Sequence, residues 1–174
     1  TPVDLDATAG QLWVRFGAVN GFFNPYPLET KGISNLKDGN WTNISHDEIN
    51  TSLGVSAVND IVNSSIDDQK RETVYFSSFL SGLLKVENQV PIILYDDTNS
   101  ALENPVFGGN NAGIRLYGSD FDRNGNLWVL QSLTDDALLR LSPNGQFQSF
   151  DVSNISGGRD ELAYSKLAIS REGF

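Results

Sequence analysis

The chain has 174 residues, 39% of them hydrophobic and 10% aromatic, with a net charge of −10 and neither Cys nor Met. That composition suits one folded domain with a sizeable core and does not suit a disordered chain. It excludes disulfides and thiolate metal sites, and it argues against binding nucleic acid or an anionic membrane through a general electrostatic field. No apolar run approaches the roughly 18 residues needed to span a bilayer, so direct membrane insertion is not expected. The opening Thr1-Pro2-Val3-Asp4-Leu5-Asp6 has neither the basic start nor the apolar stretch of a signal peptide. The missing Met leads to the expectation that the chain is a piece of something longer.

Internal repeats organise the chain. The first unit opens with a strand ending near Asp6, a turn centred on Gly10, and Leu12-Trp13-Val14. Two further strand-like runs follow, Gly32-Ile33-Ser34-Asn35-Leu36 and Trp41-Thr42-Asn43-Ile44, joined by the turn Lys37-Asp38-Gly39-Asn40. The second unit runs from Val58-Asn59-Asp60-Ile61-Val62 through a polar stretch, 63–72, to Thr73-Val74-Tyr75-Phe76. Gly82-Leu83-Leu84-Lys85-Val86 and Val90-Pro91-Ile92-Ile93-Leu94-Tyr95 complete it.

The third unit carries the clearest hairpin. Phe121-Asp122 leads into Arg123-Asn124-Gly125-Asn126, and Leu127-Trp128-Val129 leads out. Asn-Gly supplies the positive φ angles of a tight turn, and Asp122 is placed to accept hydrogen bonds from the turn amides. Ala137-Leu138-Leu139-Arg140-Leu141, a Ser142-Pro143-Asn144-Gly145 turn and Gln146-Phe147-Gln148-Ser149-Phe150 close the unit with the alternation of strands. A truncated fourth copy begins at Lys166-Leu167-Ala168-Ile169-Ser170.

Four short antiparallel strands per repeat is the blade pattern of a β-propeller. The expected fold is therefore all-β: a propeller fragment of about three four-stranded blades, near 3–45, 55–96 and 114–151, with the first strand of another within 164–174. Helix is expected to amount to a turn near 46–49 or around 160–164. Three blades do not close a ring readily. Either the chain belongs to a larger propeller, or two copies associate through blade or strand exchange.

The candidate chemistry is sparse. Trp13, Trp41 and Trp128 sit at places where blades pack face to face, so a core role is expected before a sugar-stacking one. Asp122, Asn124 and Asn126 have the spacing that starts a calcium loop, but the twelfth position is Leu133 and not the required Glu. Asp122 and Gly125 are read as hairpin-fixing. His46 is the sole imidazole, and the acidic pairs fall in loops. No metal, cofactor or catalytic residue is expected. Glycosidase chemistry needs two convergent acids, and none lies in a recognisable motif. The loop aromatics Phe22, Phe23 and Tyr26, with Phe107 and Tyr117, are the candidate binding positions.

The Phe121 to Val129 hairpin, followed by Leu139-Arg140-Leu141-Ser142-Pro143-Asn144-Gly145, resembles the blade repeat of two-component-regulator-type propellers. Val74-Tyr75-Phe76-Ser77-Ser78-Phe79, Ser81-Gly82-Leu83-Leu84-Lys85-Val86 and Tyr95-Asp96-Asp97-Thr98-Asn99-Ser100-Ala101-Leu102 are similar to the propeller region of PorZ-type proteins, components of the type IX secretion system of Bacteroidetes. That resemblance implies an extracytoplasmic place, at the cell surface or in the periplasm, and a role in secretion and surface attachment. It implies protein partners in that machinery and, as a second class, an anionic glycan. The expected function is a non-catalytic interaction or scaffolding module. The alternative is a periplasmic sensor propeller of a hybrid two-component regulator that binds a glycan-derived ligand.

Overall fold

A computed structural model describes residues 4–8, 10–16, 32–160, 164 and 166–170. Three four-stranded antiparallel meanders make up most of it. Sheet one contains β1 (Asp4–Thr8), β2 (Gln11–Arg15), β3 (Ile33–Lys37) and β4 (Asn40–Ile44). Sheet two contains β5 (Ile61–Ile66), β6 (Thr73–Ser78), β7 (Gly82–Glu87) and β8 (Val90–Tyr95). After a two-stranded hairpin, β9 (Val106–Phe107) and β10 (Asn110–Asn111), sheet three contains β11 (Leu116–Phe121), β12 (Leu127–Gln131), β13 (Leu138–Leu141) and β14 (Phe147–Phe150). The first strands lie side by side, β1 against β5 and β5 against β11, so each sheet radiates outward from a shared inner edge. This is the blade arrangement of a β-propeller fragment.

Sheet two explains the stacking. Successive side chains along a strand point to opposite faces. Val74 and Phe76 of β6, with Leu84 and Val86 of β7, join a core with Trp13, Ile33 and Ile44 of sheet one. Tyr75 and Leu83 point the other way, into a second core with Leu116, Leu127, Val129, Leu139 and Leu141 of sheet three. The middle sheet is thus buried on both faces, and β6 loses the regular alternation of buried and half-buried residues seen in β2 and β12.

Small polar side chains hold the inner edge. The Ser65 hydroxyl lies 2.8 Å from the carbonyl oxygen of Ser119 and 2.8 Å from its hydroxyl, and Asn63 Nδ2 donates to the Ser119 hydroxyl at 2.9 Å. Ser77 donates to the same hydroxyl at 3.2 Å. One junction earlier, Arg15 donates to the Ser64 hydroxyl. These residues account for a shift in the expected boundaries. The polar run after Val62 reads as a turn in the sequence, yet Asn63–Ile66 complete β5, because their polar groups are satisfied across the sheet junction. Gly82 opens β7 at φ +106°, and a Cβ there would stand 2.2 Å from the Tyr95 carbonyl oxygen. Gly32, just before β3, meets the Ile44 carbonyl in the same way, at 2.0 Å.

Helix exceeds expectation. α1 (His46–Leu53) makes two turns where a single turn is expected from the sequence. Ser45 and Glu48 form a reciprocal capping box, Gly54 closes the C-terminus at φ 66°, and Ile49 anchors the helix in the first core. A second short helix, α2 (Ser153–Ser156), and a 3₁₀ turn at Gly158–Asp160 precede the region where a turn is expected near 160–164, of which 161–163 lie outside the described residues. Residues 166–170 form no ladder, but the Ile169 amide donates to Asp120 Oδ2 on β11 at 2.8 Å, which places them beside the inner edge of sheet three. No described helix is long and apolar enough to cross a membrane.

Phe76→Ala should cost about 3–5 kcal/mol, because it opens a cavity against Trp13 in a closed core. Ile155→Ala, at a side chain 87% exposed, should stay within about 0.5 kcal/mol of the parent. Urea unfolding of the two variants measures the contrast.

Candidate functional site

The hairpins at one end of the sheets, with the tail, surround a cleft of about 700 Å³ lined by Asp67, Asp68, Gln69, Asp120, Phe121, Asp122, Arg123, Gly125, Ile169 and Ser170. Its four carboxylates suggest cation or acid–base chemistry, but each is engaged within the fold. Asp67 Oδ1 accepts from the amides of Gln69 and Lys70 at 2.8 and 3.0 Å. Asp68 Oδ1 accepts from the Thr8 hydroxyl at 3.2 Å. Asp120 accepts from the amides of Phe121 and Ile169, at 2.9 and 2.8 Å. Among the described residues, no group of three His, Cys, Asp or Glu side chains is placed to hold a metal ion.

Asp122 organises the third hairpin. Its Oδ1 accepts from the Asn124 and Asn126 amides, both at 2.9 Å. Its Oδ2 accepts from Asn126 Nδ2 at 2.8 Å and Trp128 Nε1 at 2.9 Å. Partial burial on its own would raise the carboxyl's pKa, but the hydrogen bonds from Asn126, Trp128 and Asn124 outweigh it and hold the group below the usual Asp value. Gly125 supplies the turn's φ of 77°.

The three tryptophans have three different surroundings. Trp13 is 1% exposed, donates through Nε1 to Gln11 Oε1 at 3.1 Å, and meets Phe76 of sheet two edge-on at 5.4 Å. Trp128 occupies the matching place in sheet three but is half-buried. It stacks on Phe150 of its own sheet at 5.6 Å, with Arg140 lying over the ring at 5.9 Å. Trp41 is 59% exposed on β4. Trp13 is thus a core side chain, Trp128 a half-buried one, and Trp41 lies on an outer face.

The candidate binding aromatics do not form one patch. Phe22, Phe23 and Tyr26 lie outside the described residues. Phe107, 55% exposed, sits beside exposed Val106 on the β9–β10 hairpin. Tyr117 is half-buried and meets Phe79 edge-on at 6.4 Å. His46 is the first residue of α1, with Asn50 Nδ2 3.4 Å from its ring nitrogens, and it is not among the residues that line the cleft.

One titratable group carries no signal in the sequence. Asp60, just before β5, is fully buried at φ 48°, and neither carboxylate oxygen has a hydrogen-bond partner among the described residues. Loss of solvation pushes its pKa up to about 7. Nothing in Val58-Asn59-Asp60-Ile61 marks it as buried, because Asp in that setting ordinarily faces solvent.

The three blade-like sheets define the class: this is a β-propeller fold. No family model and no curated protein sequence matches the chain. Among solved structures, it is similar to PorZ of Porphyromonas gingivalis, an essential bacterial surface component of that organism's type-IX secretion system. The match has a TM-score of 0.82 at 18% identity and covers 98% of this chain. This chain spans about a fifth of PorZ, 22% of its length. Weaker likenesses link it to regucalcin, a calcium-binding protein of Agrobacterium tumefaciens (TM-score 0.43, 17% identity, 82% of this chain and 42% of that one). A luciferin-regenerating enzyme matches similarly (TM-score 0.48, 14% identity, 86% of this chain and 45% of that one).

Two substitutions test these environments with opposite pH signatures. Asp60 ordinarily titrates near 3.8 and here near 7. Between those values the folded state holds a proton that the unfolded chain releases, so stability falls as pH rises through the window and then levels. Asp60→Asn, which tolerates the same backbone angle, should raise the melting temperature little at pH 4 and by several degrees at pH 8. Asp122 is the reverse case. Its lowered pKa contributes stability that is present above the ordinary Asp value and lost as pH falls through the folded one. Asp122→Asn should cost about 1–3 kcal/mol at pH 7, and that gap should close in strong acid. Thermal melts across pH follow both.

Proposed function

We propose that the chain is a non-catalytic interaction module of a secretion-associated propeller protein at the bacterial cell surface. The carrying observation is the fold likeness to PorZ over 98% of the chain. The engagement of the cleft carboxylates by backbone and hydroxyl donors supports a module that binds rather than turns over a substrate, since those groups are committed to holding turns. Its units are the stretches 3–45, 55–96 and 114–151, with another opening in 164–174. Partners are proteins of the secretion or attachment machinery, met at exposed loop aromatics such as Phe107, with Phe22, Phe23 and Tyr26 assigned to the same task. A glycan is the second class of partner. The setting is extracytoplasmic, in a Bacteroidetes-type envelope.

Deleting these residues from the native gene should leave secretion cargo undisplayed on the cell surface, while the purified chain releases no sugar from glycosidase substrates. Normal cargo display after the deletion would contradict the secretion role. A glycan-dependent rise in melting temperature with normal display would favour the sensor alternative.

A further inference from the structure

Two turns of sheet three carry the same dipeptide in the same hydrogen-bonded frame. Asn124-Gly125 lies between β11 and β12, and Asn144-Gly145 between β13 and β14. In each, the glycine stands at positive φ, 77° and 85°. Its amide donates to the carbonyl three residues back, that of Asp122 at 3.0 Å and that of Ser142 at 2.9 Å. The amides of Asp122 and Ser142 in turn donate to the carbonyls four residues on, Asn126 at 2.9 Å and Gln146 at 3.0 Å. An Asn followed by Gly is open to attack on its side-chain amide by the next backbone nitrogen. Glycine has no side chain to shield that nitrogen and lets the backbone reach the attacking geometry. The two turns differ in the side chain at their first position.

Asp122 holds its turn shut. Its carboxylate accepts from the amides of Asn124 and Asn126 and from the side chains of Asn126 and Trp128. Gln69 Nε2 donates to the Arg123 carbonyl at 3.1 Å, and a Cβ on Gly125 would stand 3.3 Å from the same Gln69 side chain. A carboxylate offers no proton to the Asn124 side chain. Ser142 arranges its turn differently. Its Oγ accepts from the Gln146 amide at 3.1 Å and donates to Asn144 Oδ1. The Gln146 carbonyl lies 3.0 Å from that hydroxyl but already accepts the Ser142 amide, so the single hydroxyl proton is free for Asn144. A Cβ on Gly145 would meet nothing within 4 Å, so this turn has room to open.

We propose that Asn144 is a self-modifying site, converted to aspartate and isoaspartate in the folded protein while Asn124 is kept. The turn opens, and the Gly145 amide loses its proton to solvent base. Its nitrogen attacks Asn144 Cγ, and a C–N bond forms. Negative charge develops on Oδ1, where the Ser142 hydroxyl donates. The intermediate collapses, the side-chain nitrogen leaves as ammonia, and a cyclic imide remains. Water then opens the imide at either carbonyl, which gives aspartate or isoaspartate. At Asn124 the Asp122 carboxylate stands where Ser142 stands in the other turn, and its charge opposes the same oxyanion. Isoaspartate adds a methylene to the backbone of a turn closed by the Leu141–Phe147 pair, and Phe147 packs on Tyr95 of sheet two at 5.2 Å. Conversion therefore strains the junction of sheets two and three. The proposal stands on the two turns and is independent of the secretion role.

Peptide mass spectrometry of the folded chain, held in mildly alkaline buffer, tests this. The Asn144 peptide should gain one mass unit, in part as isoaspartate, several-fold faster than the Asn124 peptide. In urea the two sites should convert at similar rates, because only the folded turns tell them apart. Ser142→Ala should slow Asn144 several-fold in the folded chain. A hydroxyl that only braced the turn would have the opposite effect, since its loss would speed conversion. Ser142→Asp, which gives this turn the side chain of the other, should bring Asn144 towards the Asn124 rate. Circular dichroism establishes that both variants fold. Equal rates at the two sites in the folded chain would overturn the proposal. So would faster conversion in Ser142→Ala, or conversion at neither site until urea is added.

Discussion

Alternate residues of β6 and β7 belong to different cores, and the rest of the fold follows from that division. A sheet in a two-layer protein has one wet face, so polar side chains at every second position cost nothing. In sheet two that option is absent at the strand centres. Val74, Phe76, Leu84 and Val86 lie against sheet one, while Tyr75 and Leu83 lie against sheet three. Each neighbouring sheet gains a buried face only because the middle one supplies it. The polar exceptions are tied down: Lys85 forms an ion pair with Glu87 at 2.6 Å, and Ser77 donates into the serine cluster at the inner edge.

That inner edge imposes a second requirement. Where sheets converge, space is too short for large side chains on adjoining strands, and small hydroxyls fit. Ser65, Ser77 and Ser119 satisfy one another there, and Asn63 adds a side-chain amide. Away from the axis, where the sheets diverge, aromatic pairs such as Tyr95 with Phe147 fill the wider gap. The hairpin turns near the cleft are held by acceptors such as Asp67 and Asp122, which is why an acidic cleft here serves architecture first. Asp60 is the exception to this economy, a buried carboxyl with no hydrogen-bond partner among the described residues to stabilise its charge.

Much of the architecture was legible from residue order. The recurring Leu-Trp-Val and Val-Tyr-Phe runs mark second strands because a bulky ring flanked by aliphatics suits a strand packed on both sides. Asp122 to Asn126 marks a hairpin because Asn-Gly and an upstream Asp leave the chain few other conformations. The β5 boundary was not legible, since Asn63, Ser64 and Ser65 look like a turn until Ser119 lies opposite. The full length of α1 is not legible either, although Ser45, Glu48 and Gly54 are sound caps, because its single buried Ile49 gives little periodicity. Trp41 opens an outer strand, where less burial is expected, but Trp128 could not be told from Trp13 by sequence. The exposure of Trp128 depends on which sheet stands next to it, and local residues do not carry that information.

The central claim is that the middle sheet is the common support of both cores, and native-state hydrogen exchange tests it most directly. The amides of β6 and β7 should be the slowest in the chain and should exchange together through global unfolding, with those of β1, β4 and β14 opening at lower cost. Faster exchange in β6 and β7 than in the outer sheets would contradict the account, because it would mean that each outer sheet holds its fold without the middle one.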